Sequence, residues 1–253
     1  MARQARERSK TGIYHIMLRG IDKRDIFLED EDRRKFIKCL LKAKEVGKFE
    51  IYAYCLMDNH VHLLMKEGED IGKTIKRITV SYVIWHNNKY ERTGHLFQNR
   101  FRSESVERET YFLTVFRYIH QNPLKAGLIN KLDDYQWSSY RQYLHSYKGI
   151  ESYIDDELIR SYYPNVKEFF SYVNTDNNDE CLDYRQVPNY NDKTFRDIIV
   201  KHYNVDELFD LPKKERNKLI RKIYFDLGIS IRQLSRVLGV GKAIVERAIK
   251  EDR

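Results

Sequence analysis

His60 and His62 stand two residues apart in the run His60-Val61-His62-Leu63-Leu64-Met65-Lys66, whose apolar and β-branched residues read as a β-strand. Side chains alternate across a strand, so the two imidazoles must leave the same face of a sheet. Two converging imidazoles can hold a divalent cation; the same spacing also occurs on ordinary polar strand faces, and the pair alone does not choose. A second pair lies at Tyr118 and Asn122, four residues apart in a segment, 112–122, whose apolar residues fit a helix. At that spacing a phenol, which can act as a nucleophile, and an amide oxygen, which can bind a hard cation, share one stripe of the helix. The chain has nineteen tyrosines, and a packing role for Tyr118 is the plainer alternative.

The elements that would position these residues follow from periodicity. Residues 50–57 and 60–66 are both strand-like and only Asp58-Asn59 separates them, which predicts a hairpin with a two-residue turn, since Asp and Asn tolerate positive φ. Alternation places His60, His62 and Leu64 on one face and Val61 and Leu63 on the other, with Val61 in a core. Upstream, the pattern predicts a strand over 13–18 and a helix from 30 to about 46 carrying Phe36, Ile37, Leu40, Leu41 and Lys44. Downstream it predicts a helix over 71–90 with Ile71, Ile75, Ile78, Tyr82 and Trp85 at helical spacing, a strand over 97–106, and the Tyr118 helix, ended by Pro123. The order βαββαβ with an added helix fits an α+β fold, a ferredoxin-like or RRM-like antiparallel sheet with helices packed on one face. The other face is then open for His60, His62 and a ligand, unless the Tyr118 helix covers part of it.

At 253 residues the chain is long enough for two domains. Its three cysteines form no Cys-x-x-Cys pair, which argues against a zinc ribbon or a disulfide framework. With no apolar run approaching a membrane span of about 20 residues and no apolar signal region, a cytoplasmic location without membrane contact is expected. The net charge of +8 is unevenly spread: 151–192 holds ten Asp/Glu against three Lys/Arg, and 213–253 holds twelve Lys/Arg against five Asp/Glu. The acidic stretch, with its polar run 174–180, reads as a linker, so the expected division is 1–150, a connecting segment 151–192, and a helical domain 193–253.

Residues 231–250 read as a helix-turn-helix. Ser230 is the expected cap, Gly239 the tight turn, Leu234, Leu238, Val240 and Val245 the apolar contacts, and small Ser235 the point of close approach. A basic helix over 212–227 would support it. If the second helix enters a major groove, Lys242, Ala243, Glu246, Arg247 and Lys250 would meet bases and phosphates; a plain packing hairpin is the alternative.

Four motifs in order, Cys55-Leu56-Met57-Asp58-Asn59-His60-Val61-His62-Leu63-Leu64, Gly94-His95-Leu96-Phe97-Gln98-Asn99-Arg100-Phe101, Arg117-Tyr118-Ile119-His120-Gln121-Asn122-Pro123-Leu124-Lys125-Ala126-Gly127-Leu128 and Trp137-Ser138-Ser139-Tyr140, resemble those of the REP-associated tyrosine transposases, a bacterial branch of the single-tyrosine HUH (IS200-like) transposases. The resemblance covers roughly residues 10 to 145. It implies an HUH nuclease fold and an enzyme that cuts and rejoins single-stranded DNA next to hairpins. In that reading His60, His62 and Asn122 hold Mg²⁺ or Mn²⁺ and Tyr118 is the nucleophile of a 5′-phosphotyrosine intermediate; by softness two imidazoles equally suit Zn²⁺. Arg19, Lys23, Arg24, Arg100 and Arg102 are candidate phosphate contacts, or ordinary surface charges. His95 belongs to a family-like motif but receives no role, and His120 should point away from Tyr118. Tyrosines between 135 and 172 either pack or stack on unpaired bases. Two other classes stay open: a domesticated regulator that binds duplex or hairpin DNA through the helix-turn-helix, and an RNA-binding sheet, which the lack of an aromatic, glycine-containing RNP pattern disfavours. The oligomeric state stays open.

Overall fold

The computed structural model describes residues 8–98, 100–177, 179, 181–182, 192–203, 205, 208, 211–227 and 231–250, the side chains of Phe225 and Lys250 apart. The chain forms two compact units, Met1–Asp183 and Tyr184–Arg253.

The first unit is built on β1 (Ile13–Arg19), α1 (Asp30–Gly47), β2 (Glu50–Met57), β3 (His60–Lys66), α2 (Ile71–Lys89), β4 (Arg102–Ser105) and α3 (Glu109–Lys125). The strands lie in the order β2-β3-β1-β4 and every pair is antiparallel, the expected ferredoxin-like arrangement. The register sets Arg19 opposite His60, Met17 opposite His62 and His15 opposite Leu64, while Met57 and Cys55 pair with His60 and His62 from the other side. Ile16, Leu18, Leu56, Val61, Leu63 and Met65 take the opposite face and belong to the core with Phe36, Leu40, Ile78 and Tyr82 of α1 and α2.

The site face is not open. Met17, Cys55, Met57 and Leu64 make it too apolar to face water, and α3 lies against β2 and β3 with Phe112, Val115, Phe116 and Ile119 buried. Helices therefore cover both faces. α3 also runs through Pro123 to Lys125 rather than ending at Asn122: so close to a helix end the proline forfeits a single backbone bond, and its ring is buried.

Two local expectations change as well. Neither Asp58 nor Asn59 takes a positive φ; the turn is held by its neighbours instead. Asp58 O accepts from Ile26 N at 2.8 Å and Phe27 N at 3.1 Å, Asn59 O accepts from Gly20 N at 2.9 Å, and Arg33 pairs with the Asp58 carboxylate. The strand expected over 97–106 is the short β4 preceded by an isolated bridge between Gly20 and Phe97. Gln98 N donates to Arg19 O at 2.7 Å and Leu96 O accepts from Ile21 N at 2.9 Å, so this segment follows the end of β1. Gly20 makes the close passage possible, because a Cβ there would sit 2.0 Å from Arg24 O.

The acidic stretch is not a linker over its described part. After α4 (Tyr140–Tyr147) come α5 (Glu157–Tyr162) and α6 (Val166–Val173). Ile154, Ile159, Phe169 and Val173 are buried, and Phe169 stacks 5.2 Å from Tyr143 and 5.7 Å from Tyr140. Apolar residues at helical spacing outweigh a net negative charge carried on exposed positions. Residues 183–191 of that stretch lie outside the described residues.

The exposed edge of β2 is closed by the Trp-Ser-Ser-Tyr motif. Leu56 N donates to Trp137 O and Ser139 N to Tyr54 O, each at 2.9 Å, and Ser139 Oγ accepts from Tyr54 N at 3.0 Å while lying 2.8 Å from His120 Nε2. Ser139→Ala should therefore cost about 1–3 kcal/mol by leaving buried groups unpaired. Urea unfolding measures this; an unchanged midpoint would mean the hydroxyl is dispensable.

In the second unit α7 (Asp192–His202), α8 (Lys213–Leu227), α9 (Ile231–Leu238) and α10 (Lys242–Lys250) enclose Phe195, Ile199, Ile220, Ile223, Leu234, Val240 and Val245. Gly239 turns the chain at φ 67°, Ser235 Oγ donates to Val240 O at 2.6 Å, and Arg236 pairs with Asp192 of α7 at 2.7 Å. Ser230, the expected cap, lies outside the described residues. No helix among the described residues is long and apolar enough to cross a membrane.

Candidate active site

β3 presents both histidines towards α3. His60 Nδ1 donates to Asn59 Oδ1 at 2.7 Å, which leaves the lone pair on Nε2. His62 is fully buried; its Nδ1 lies 3.0 Å from Nε2 of His15 on β1, and its Nε2 has no hydrogen-bond partner. Burial, followed by the proximity of His15 and His60, holds the His62 imidazole well below its ordinary pKa. Burial alone pushes His15 down to about 3. Both rings are neutral at physiological pH, the form that binds metals. The site thus contains a buried, unpartnered ring nitrogen, which a cation would satisfy.

The Tyr118 ring meets His62 edge-on with centroids 5.7 Å apart, and His60 and His62 are themselves 5.1 Å apart. Tyr118 is buried, at 7% exposure. Lys125 Nζ lies 5.4 Å from the Tyr118 ring centroid. Asn122 sits one turn on from Tyr118, its Nδ2 donating to Tyr118 O at 3.1 Å, so Oδ1 remains as the donor atom for a hard cation. Among the described residues no group of three His, Cys, Asp or Glu side chains is arranged to hold a metal ion.

An adjacent stripe of α3 fixes its rotation. Arg117 pairs with Asp179 at 2.8 Å, Gln121 Nε2 donates to Val173 O at 2.8 Å and Thr175 O at 3.0 Å, and Lys125 Nζ donates to Asn177 Oδ1 at 3.0 Å. The stretch expected as solvated linker therefore decides where Tyr118 points.

Arg19 lies opposite His60 at the end of β1, and Arg102 is exposed on β4 opposite Met17. Lys23, Arg24, Arg100 and His95 are exposed. In the second unit Lys242 and Arg247 are exposed on α10, Lys242 pairing with Glu246 at 3.0 Å; the Lys250 side chain is outside the described residues. His120 turns away from the site, with Nδ1 2.8 Å from Phe116 O. Burial lowers its pKa to about 4, opposed by that backbone contact. Between pH 6.5 and 4 the unfolded chain protonates this residue and the folded one does not, so stability should fall with pH by on the order of 3 kcal/mol, His15 and His62 adding in the same direction. Urea midpoints at pH 7.5 and 4.5 test this, and His120→Gln should flatten the decline.

His15 escapes a reading of the sequence. It is a lone polar residue in an apolar strand, and only the pairing of β1 with β3 brings it to His62. The four-stranded antiparallel sheet thus sets two imidazoles of its β2–β3 hairpin against a helical tyrosine. Residues 9–122 match the sequence model of the IS200-like transposases. A REP-associated tyrosine transposase of Haemophilus influenzae is 24% identical over 155 residues, which span 56% of this chain and 87% of that protein. The solved structure of a REP-associated tyrosine transposase bound to a REP hairpin shares the fold, at TM-score 0.50 and 19% identity, covering 60% of this chain and 88% of its own. A transposase structure from Deinococcus radiodurans aligns over 47% of this chain and 96% of its own, at 17% identity and TM-score 0.34.

Proposed function

We propose that the first unit cuts and rejoins single-stranded DNA beside hairpins through a covalent bond to Tyr118. The observation that carries this is the edge-on packing of the Tyr118 ring against His62, whose buried Nε2 has no hydrogen-bond partner. Tyr118 Oη attacks the phosphorus, the bond to the 3′ oxygen breaks, and that oxygen leaves with a proton as a free 3′-OH. The 5′-phosphotyrosine retains the ester, so attack by a 3′-OH reverses the step. His60, His62 and Asn122 would hold a divalent cation, Mg²⁺ or Mn²⁺, which when bound polarises the scissile phosphate. Arg19, Lys23, Arg24, Arg100 and Arg102 would contact phosphates along the strand, and the relative solved with a REP hairpin supports recognition of a hairpin. Incubation with Mn²⁺ and labelled hairpin-bearing single strands should yield a covalent adduct; none with any hairpin substrate would defeat the proposal.

The second unit has its own core and an exposed basic α10, which favours an added duplex contact through Lys242, Arg247 and Lys250. A fragment of residues 184–253 is expected to bind duplex or hairpin DNA, with affinity falling steeply with salt and each lost phosphate contact reducing the logarithmic slope by about 0.9. Fluorescence anisotropy from 50 to 200 mM salt measures it; salt-independent or absent binding would make the unit a packing module. Binding without any adduct in the cleavage assay would instead support a regulator built on the same chain.

A further inference from the structure

The chemistry above leaves a third imidazole without a task. His15 is fully buried, and its register partner Leu64 is two residues from His62 on the same face, so the two rings meet diagonally across β1 and β3 with centroids 5.2 Å apart. Its Nε2 lies 3.0 Å from His62 Nδ1. Between two neutral ring nitrogens there is room for one proton. Were it carried by His15, His62 would keep its own proton on Nε2 and have no lone pair to offer there. Carried by His62, it leaves the Nε2 lone pair exposed to a ligand and makes His15 the acceptor.

His60 supplies the parallel that decides between the two states. Its Nδ1 donates to Asn59 Oδ1 at 2.7 Å, which puts its lone pair on Nε2 as well. Each ring then has an acceptor behind Nδ1, an amide for one and an imidazole for the other. We infer that His15 is a positioning residue that accepts the Nδ1 proton of His62 and holds that ring in the one tautomer and orientation in which Nε2 can take a cation. This rests on the reading of His60 and His62 as cation ligands. Burial strengthens it, because no water competes for His62 Nδ1.

The test uses the full chain and Mn²⁺ alone, with the free ion followed by electron paramagnetic resonance. His15→Phe fills the place of the ring but cannot accept a proton, whereas His15→Gln extends a carbonyl oxygen about as far as Nε2. His15→Phe should weaken Mn²⁺ binding about tenfold or more and His15→Gln should stay within about threefold of wild type, both melting near the wild-type temperature. A second readout needs no variant: ring ¹⁵N spectra of the wild type saturated with Mg²⁺ should show His62 protonated at Nδ1. Unchanged Mn²⁺ binding by His15→Phe, a folded His15→Gln as weak as His15→Phe, or a proton on His62 Nε2 under Mg²⁺ would each overturn the inference. A wild type that binds no Mn²⁺ would instead remove the cation reading itself, a result distinct from binding that ignores His15.

Discussion

Tyr118→Phe should abolish the covalent protein–DNA adduct and lower strand cleavage by about three orders of magnitude or more, because the substitution deletes the oxygen proposed to attack and keeps the ring. The ring contacts to His62 and His15 survive, so the melting temperature should move by no more than a few degrees and DNA binding should persist. Denaturing electrophoresis with a labelled single strand scores the slow-migrating adduct. Asn122→Ala should behave differently. The nucleophile remains while one oxygen donor is lost, so cleavage should fall by about 10–100-fold and recover partly at high metal concentration. An adduct formed by Tyr118→Phe would transfer the nucleophile to another residue.

His60→Ala and His62→Ala should both abolish metal-dependent cleavage, but they should part company in stability. A pair of imidazoles on an open sheet face would contribute little to the core; here only His60 is partly exposed. His62→Ala removes a fully buried ring from between β3 and α3 and leaves His15 Nε2 without its partner, so it should cost about 2–4 kcal/mol, against under about 1 kcal/mol for His60→Ala. Urea unfolding without metal separates the two effects from cleavage measured with Mn²⁺. Equal stabilities for the two variants would contradict the burial of His62, and normal cutting by either would remove it from the mechanism.

Much of this site is legible in the chain because its geometry is local. Alternation along 60–66 puts two histidines on one face whatever surrounds them, and four-residue spacing puts Asn122 above Tyr118 in any helix. The order of strands and helices follows from the same periods. What fails to appear is set by contacts distant in sequence. The cover that α3 lays over the histidines depends on which apolar stripe meets which face, and the partnership of His15 with His62 depends on the register of β1 against β3. The turn at Asp58-Asn59 has turn-forming residues but takes its shape from Gly20, Ile26, Phe27 and Arg33. The acidic stretch misleads through its charge: Phe169 and Val173, one helical turn apart, carry more structural information than the ten carboxylates around them.

The bonds that join 173–179 to α3 also define the smallest piece of this chain that should fold as an enzyme. The region shared with the transposase family ends at 122, and the change in charge suggests a cut near 150. A chain ending at either point loses Phe169 from against Phe116 and the carbonyls of Val173 and Thr175 from Gln121. The helix that carries Tyr118 would then keep its sequence and lose its orientation. Dissection of the two units belongs between α6 and α7, at the boundary between Asp183 and Tyr184, where each retains its own core.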